Sequence, residues 1–146
     1  MIDDIYNRKI LAFAGNLGRL GHLEDADAIA TRHSKLCGSR VTVYLKMQNG
    51  VVIDFAHEVK ACALGQASSS VMANNIIGAS GEELKALRDI VTRMLKENGP
   101  PPEGRFADMR YFEPVRDYKA RHASTLLTFE AVADCVRQIE EKSKVA

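Results

Sequence analysis

The sequence predicts an α+β fold, a small antiparallel sheet of two or three strands covered on one face by helices. Three observations carry this. Residues 40–59 alternate apolar and polar side chains about an Asn49-Gly50 turn. Apolar residues recur at helical spacing in the segments before and after that hairpin, and glycines and prolines punctuate the joints. A hairpin with one apolar face needs a cover, and the helices supply it.

The first helix is expected from Ile2 to about Leu17. Asp3 and Asp4 suit its first turn, and Ile10, Phe13, Ala14 and Leu17 form one stripe. Gly15, Gly18 and Gly21 then break the pattern, and residues 26–33 carry a weaker edge-strand signal. In the hairpin, Val41, Val43, Leu45 and Met47 make one face of the first strand. Val51, Ile53, Phe55, His57 and Val59 continue that face on the return. Asn-Gly tolerates the positive φ that a tight hairpin turn demands.

After Cys62, a Ser-rich helix places Ser68, Val71, Met72, Asn75 and Ile76 at helical spacing up to Gly78. Ser80-Gly81-Glu82-Glu83 reads as a capping box for a further helix, whose stripe is Leu84, Leu87, Val91, Met94 and Leu95. Gly99-Pro100-Pro101-Pro102 stops it, because proline lacks an N–H and restricts its predecessor. Residues 99–121 form a long connection, and Phe106, Tyr111, Phe112 and Tyr118 imply that it packs down. A last helix, capped by Ser124 or Thr125, carries Thr128, Ala131, Val132, Cys135, Val136 and Ile139 as its stripe and frays from Glu140 to Lys144.

Composition narrows the function. The 146 residues, 46% hydrophobic and 27% charged, suit a single domain spanning 1–146 with its own core. A net charge of +1 gives no basic field for nucleic acid. No apolar run approaches the roughly 18 residues that a membrane span needs. The opening Met1-Ile2-Asp3-Asp4 places acids where a targeting peptide would carry cations, so a cytoplasmic protein is expected. Three cysteines do not make a disulfide framework.

Cys37 and Cys62 flank the hairpin and fall at the same end of the sheet. Cys62 stands where a strand gives way to a helix, and the unpaired N–H groups of a helix start favour thiolate over thiol. Together the two suggest sulfur or metal chemistry, against the plainer reading of two small buried hydrophobes. Lys60 could assist Cys62 or simply be solvated. Cys135, on a helix stripe, reads as core. His57 reads as a sheet-face residue, and His22 and His33 as loop or surface. Ser68-Ser69-Ser70 lacks any nucleophile-elbow pattern and reads as tight helix packing. Gly38 serves backbone geometry.

Cys37-Gly38 opening a strand, Cys62 closing a hairpin before an Ala/Ser-rich helix, and Arg121-His122-Ala123-Ser124-Thr125-Leu126 before the last helix together resemble the IscU/SufU/NifU family of iron–sulfur cluster assembly scaffolds. The likeness runs from about residue 2 to 140, and the Pro-rich insertion ahead of Arg121 is closer to the SufU branch. The resemblance implies a site that holds a transient [2Fe–2S] cluster or, in SufU-like proteins, a zinc ion. It also implies a cysteine desulfurase as sulfur donor and downstream cluster acceptor proteins as recipients. In the family a third cysteine stands where this chain has Ala123, and an aspartate where it has Ser39. The resemblance leaves Cys37 and Cys62 as ligands and sulfur acceptors. His122, beside the missing cysteine, either fills a third position through a neutral imidazole nitrogen or is a helix-preceding histidine hydrogen-bonded to backbone or solvent. Zinc and iron–sulfur clusters ordinarily take four ligands, so water, a partner residue or a second copy of this chain in a homodimer would complete the shell.

Three functions follow from the resemblance: a cluster scaffold or sulfur acceptor with an incomplete ligand set, a desulfurase-binding regulatory module without chemistry of its own, and a small zinc protein with an open coordination position. The first two are not enzymes in the turnover sense.

Overall fold

The structure, a computed structural model, describes residues 4–36 and 38–145. Cys37, Ile2 and Asp3 lie outside the described residues. Helix α1 spans Asp4–Gly15, and strands β1 (Ala28–His33), β2 (Arg40–Gln48) and β3 (Val51–Lys60) follow. Helices α2 (Ala63–Asn75), α3 (Gly81–Lys96) and α4 (His122–Val145) complete the set, with 3₁₀ segments over Gly104–Asp117 and Lys119–Arg121. The strands form one antiparallel sheet in the order β1-β2-β3.

The hairpin forms as its sequence dictates. Asn49 and Gly50 take φ of 55° and 78°, the left-handed pair of a two-residue turn matched to strand twist. Val41, Val43 and Leu45 are fully buried beneath the helices. One detail departs from strict alternation. Lys46 pairs with Asp54 and Met47 with Val52, so Ile53 is the extra residue of a β-bulge. The bulge reverses the side-chain parity near the turn: Val52 is buried, whereas Ile53, expected on the core face, is 43% exposed.

The free edge of β3 is covered by the chain after α1. His57 N donates to Arg19 O, Gly21 N donates to His57 O, and Leu20 bridges His57. The buried His57 ring adds a 2.8 Å contact from Nε2 to Gly18 O, which closes an edge that would otherwise present unpaired groups.

Helix α4 lies across β1 and β2, with the fully buried Cys135 reaching Val43 O from its inner face. Burial pushes the Cys135 thiol up to about 12, as a core residue should show. Ser68, Ser69 and Ser70 are all buried, and their small side chains let α2 pack against both α1 and α4. Ser80 accepts from Glu83 N and caps α3. The connection after α3 packs down through Phe106, Met109, Phe112 and Val115, and Phe112 stacks on Phe13 of α1. Helix α4 differs from expectation at both ends. It starts at His122, and Ser124 and Thr125 donate back to Arg121 O instead of capping. Its charged end stays helical to Val145, with Glu140 paired to Lys85 of α3.

Candidate functional site

Strand β3 ends at Lys60, and Ala61 leads to Cys62, the N-cap of α2 in extended conformation (φ −66°, ψ 174°). A thiol is a poor cap, and no side-chain cap hydrogen bond closes there. The first-turn amides therefore act on the sulfur as oriented dipoles.

The first turn of α4 stands against this point, and Cys62 Sγ lies 3.5 Å from Ser124 Oγ. Gly65 sets the approach. A Cβ on Gly65 would fall 2.6 Å from Ala61 Cβ and 3.3 Å from Ser124 O, so only glycine lets the two helix starts meet this closely.

Opposing influences set the thiol's ionisation. Burial is the largest and raises the pKa, but the Gly65 amide, the Ser124 hydroxyl, the Leu64 amide and the Arg121 guanidinium all lower it. Their sum wins, and Cys62 ionises below the ordinary thiol value. Ser124 Oγ also lies 3.2 Å from Arg121 O. With a neutral thiol the hydroxyl donates to that carbonyl and accepts from S–H. With a thiolate it turns and donates to sulfur. Cys62 is half-buried, which leaves the sulfur reachable. Tyr6 of α1 borders the same cluster. Burial raises its pKa, and Tyr118, Arg121 and Cys62 all act on it electrostatically.

His122 opens α4 at 7% exposure, with Nε2 2.9 Å from Val115 O and 3.1 Å from Arg116 O. A ring nitrogen facing two carbonyls can only donate. That fixes the tautomer and leaves the Nδ1 lone pair as the one a metal would use. Such carbonyl-anchored imidazoles are the usual form of histidine ligands.

Cys37 lies outside the described residues, but its loop is defined on both sides. Gly38 N donates to Ser34 O, Ser34 N donates to Ser39 O, and Gly38 takes φ +72°. Ser39 is buried, and the half-buried Ala123 offers no donor atom. Among the described residues no three His, Cys, Asp or Glu side chains group as a metal site. A ligand set containing Cys62 and His122 would have to draw on Cys37 or on a partner. Sequence reasoning valued Ser124 as a cap and Arg121 as a motif marker, and passed over Tyr6. All three act at Cys62 through folding contacts that no local pattern encodes. Lys60, weighed earlier as an aid to Cys62, has no part in lowering its pKa. Among the described residues, no helix is long and apolar enough to cross a membrane.

The NifU-like N terminal domain family matches residues 5–125. The iron–sulfur cluster assembly scaffold protein IscU of Thermotoga maritima is 31% identical over 136 residues, covering 92% of this chain and 94% of the relative. The zinc-dependent sulfurtransferase SufU of Bacillus subtilis is 23% identical, covering 95% and 94% respectively. A crystal structure of the N-terminal region of a nitrogen-fixing NifU-like protein from Brucella abortus shares 79% identity at a TM-score of 0.94. That match covers 97% of this chain and 98% of the other. The SufU-type scaffold of Fervidobacterium islandicum, at 24% identity and a TM-score of 0.81, shares the fold.

Proposed function

The chain belongs to the NifU-like N-terminal domain family, and from that premise we propose that it is an iron–sulfur cluster assembly scaffold that accepts sulfur on Cys62. The observation that carries the reading is the half-buried Cys62 thiol, drawn toward thiolate by the Gly65 and Leu64 amides, Ser124 and Arg121.

The transfer step needs no external oxidant. The Cys62 thiolate attacks the outer sulfur of a persulfide carried by a cysteine desulfurase. A new S–S bond forms at Cys62 Sγ as the donor's own S–S bond breaks, and the donor thiolate leaves with that bond's electron pair. A thiol pKa drawn below the ordinary value raises the share of the attacking thiolate, and Ser124 can turn its hydroxyl toward sulfur as charge resides there. Two electrons from an added thiol reductant would release that sulfur as sulfide for a cluster, whose iron is cargo held by Cys37 and Cys62 with His122 offering Nδ1. A shell short of four protein ligands suits a cluster meant to be handed on.

Zinc, if resident, would draw on the same three residues and supply a charge that holds both thiols deprotonated. Ala123 and Ser39, in place of the family's cysteine and aspartate, favour a second reading: a module that binds the desulfurase and modulates it without carrying sulfur.

Iron and acid-labile sulfide per chain, measured after anaerobic incubation with ferrous iron, cysteine and a desulfurase, test the proposal. Stoichiometric iron and sulfide, lost in Cys62→Ser or Cys37→Ser, are expected, with a one-sulfur mass increase on Cys62 in the absence of iron. Neither element above background would refute scaffold chemistry. Desulfurase modulation that survives the double Cys→Ser variant would then favour the second reading.

A further inference from the structure

Three basic residues stand in one row across the strand ends that lead to the two cysteines. His33 of β1 pairs with Arg40 of β2, and Arg40 pairs with Lys60 of β3, so all three share the sheet face away from α4. They line, with Gly38, a shallow pocket of about 430 Å³. Gly38 follows Cys37, and Lys60 precedes Cys62 by two residues.

Like charges set directly opposite on neighbouring strands destabilise a sheet. Here, among the described residues, only the through-space attraction between Arg40 and the exposed Glu58 is set against that cost. All three side chains are exposed, and among the described residues none forms an ion pair with an acid. The contrast with the next residue is sharp: Arg32, on the opposite face, is held by Asp134. Glu58, diagonal to Arg40, is already taken by the Tyr44 hydroxyl and His22. The row therefore presents two cations, Arg40 and Lys60, about 5 Å apart on neighbouring strands, with the exposed His33 ring extending it to the third.

We propose that the His33–Arg40–Lys60 row is a docking strip for an acidic segment of the protein that delivers sulfur to this chain. The inference rests on the acceptor reading above and names the chemistry of its partner. A chain of several carboxylates suits the strip better than one small anion, because a single ion on exposed cations gains little in water. Charge complementarity of this kind speeds encounter and fixes orientation, which here would bring a donor sulfur to the cysteine end of the sheet.

The test is the double variant Arg40→Gln/Lys60→Gln, which removes a repulsive pair and so should fold at least as well. Sulfur transfer from a persulfide-loaded cysteine desulfurase is measured against desulfurase concentration at low and physiological salt. The expected result is a half-saturating concentration raised about tenfold, an unchanged maximal rate and a flattened salt dependence. Alkylation of Cys62 should proceed at the wild-type rate. A fallen maximal rate with unchanged half-saturation, or no change at all, would overturn the proposal. A labelled oligoglutamate peptide, titrated into the same two proteins, supplies an arm that needs no sulfur chemistry. It should bind the wild type about tenfold more tightly than the variant. Equal binding overturns the docking strip, as does displacement by inorganic phosphate at the concentration that displaces free glutamate peptide from a nonspecific basic protein. If the wild type accepts no sulfur, the acceptor reading fails, and the peptide arm still decides whether the strip binds acid.

Discussion

Cys62 Sγ and Ser124 Oγ meet at 3.5 Å, joining the first turn of α2 to the first turn of α4 across 62 residues of chain. The serine hydroxyl is one of the groups that lower the Cys62 pKa, so Ser124→Ala should raise it. Iodoacetamide modification of Cys62, followed against pH, should show its midpoint moved upward and a neutral-pH rate reduced about threefold or more. An unmoved midpoint would mean that the helix-start amides and Arg121 suffice.

Gly65 holds that contact in place. Gly65→Ala puts a methyl carbon 2.6 Å from Ala61 Cβ, and neither backbone can yield without moving α2 away from Ser124. The gain in helix propensity, about 1 kcal/mol, is smaller than the strain. A net loss of about 1–3 kcal/mol is expected in urea unfolding, together with slower Cys62 alkylation at neutral pH. Stability equal to or above the wild type would show that the helix starts can separate freely.

Much of this arrangement was legible in the residues, and the remainder fails for identifiable reasons. Asn49-Gly50 and the alternation of Val41, Val43 and Leu45 define the hairpin and its buried face. The bulge at Ile53 was hidden because Val51, Val52 and Ile53 are all β-branched, so either parity offers an apolar residue to the core. Ser124 and Thr125 look like caps, yet a hydroxyl serves equally well bonding backward to Arg121 O. Cys62 was readable from its place between strand and helix. Its partners were not, since Tyr6, Arg121 and Ser124 arrive through packing of α1 and α4 rather than through spacing.

Cys135 offers an internal contrast to Cys62. Buried fully and raised to about 12, it should resist alkylation at mildly alkaline pH as long as the protein is folded. Mass spectrometry after brief labelling should place the reagent on Cys62 and leave Cys135 free until urea is added. Early labelling of Cys135 would mean that α4 lifts from β2 without global unfolding.

His122 has a structural duty separable from any ligand role. Its Nε2–H serves the carbonyls of Val115 and Arg116, tying the 3₁₀ connection to α4. His122→Ala leaves those carbonyls without their donor and should cost about 1–3 kcal/mol, with or without metal. His122→Gln keeps an N–H donor and should recover part of that stability while removing Nδ1. Reduced iron retention in the glutamine variant would then report on ligation alone, whereas retention equal to wild type would exclude His122 from the ligand set.

His57 makes stability depend on pH in a definite direction. Burial lowers its pKa below the ordinary value, against a smaller opposite effect of its bond to Gly18 O. Its Nδ1 is buried with no hydrogen-bond partner among the described residues, and the Phe55 ring packs against the imidazole at 4.9 Å between centroids, an apolar neighbour that offers a proton nothing. The unfolded chain, with histidine titrating near pH 6.5, binds that proton first as pH falls. Stability therefore rises with pH through this window and declines below about pH 6.5 until the folded form also protonates. One pH unit below the unfolded value the loss attributable to His57 is at most about 1.4 kcal/mol. His57→Gln does not titrate and should flatten urea stability between about pH 7.5 and 5.5, a range above most carboxylate titrations. The same substitution should lower stability at neutral pH, because its shorter side chain fills less of the space beside Phe55 and reaches Gly18 O less well. A wild-type slope that persists in His57→Gln would assign the acid sensitivity to another group and leave the edge of β3 without its pH-dependent latch.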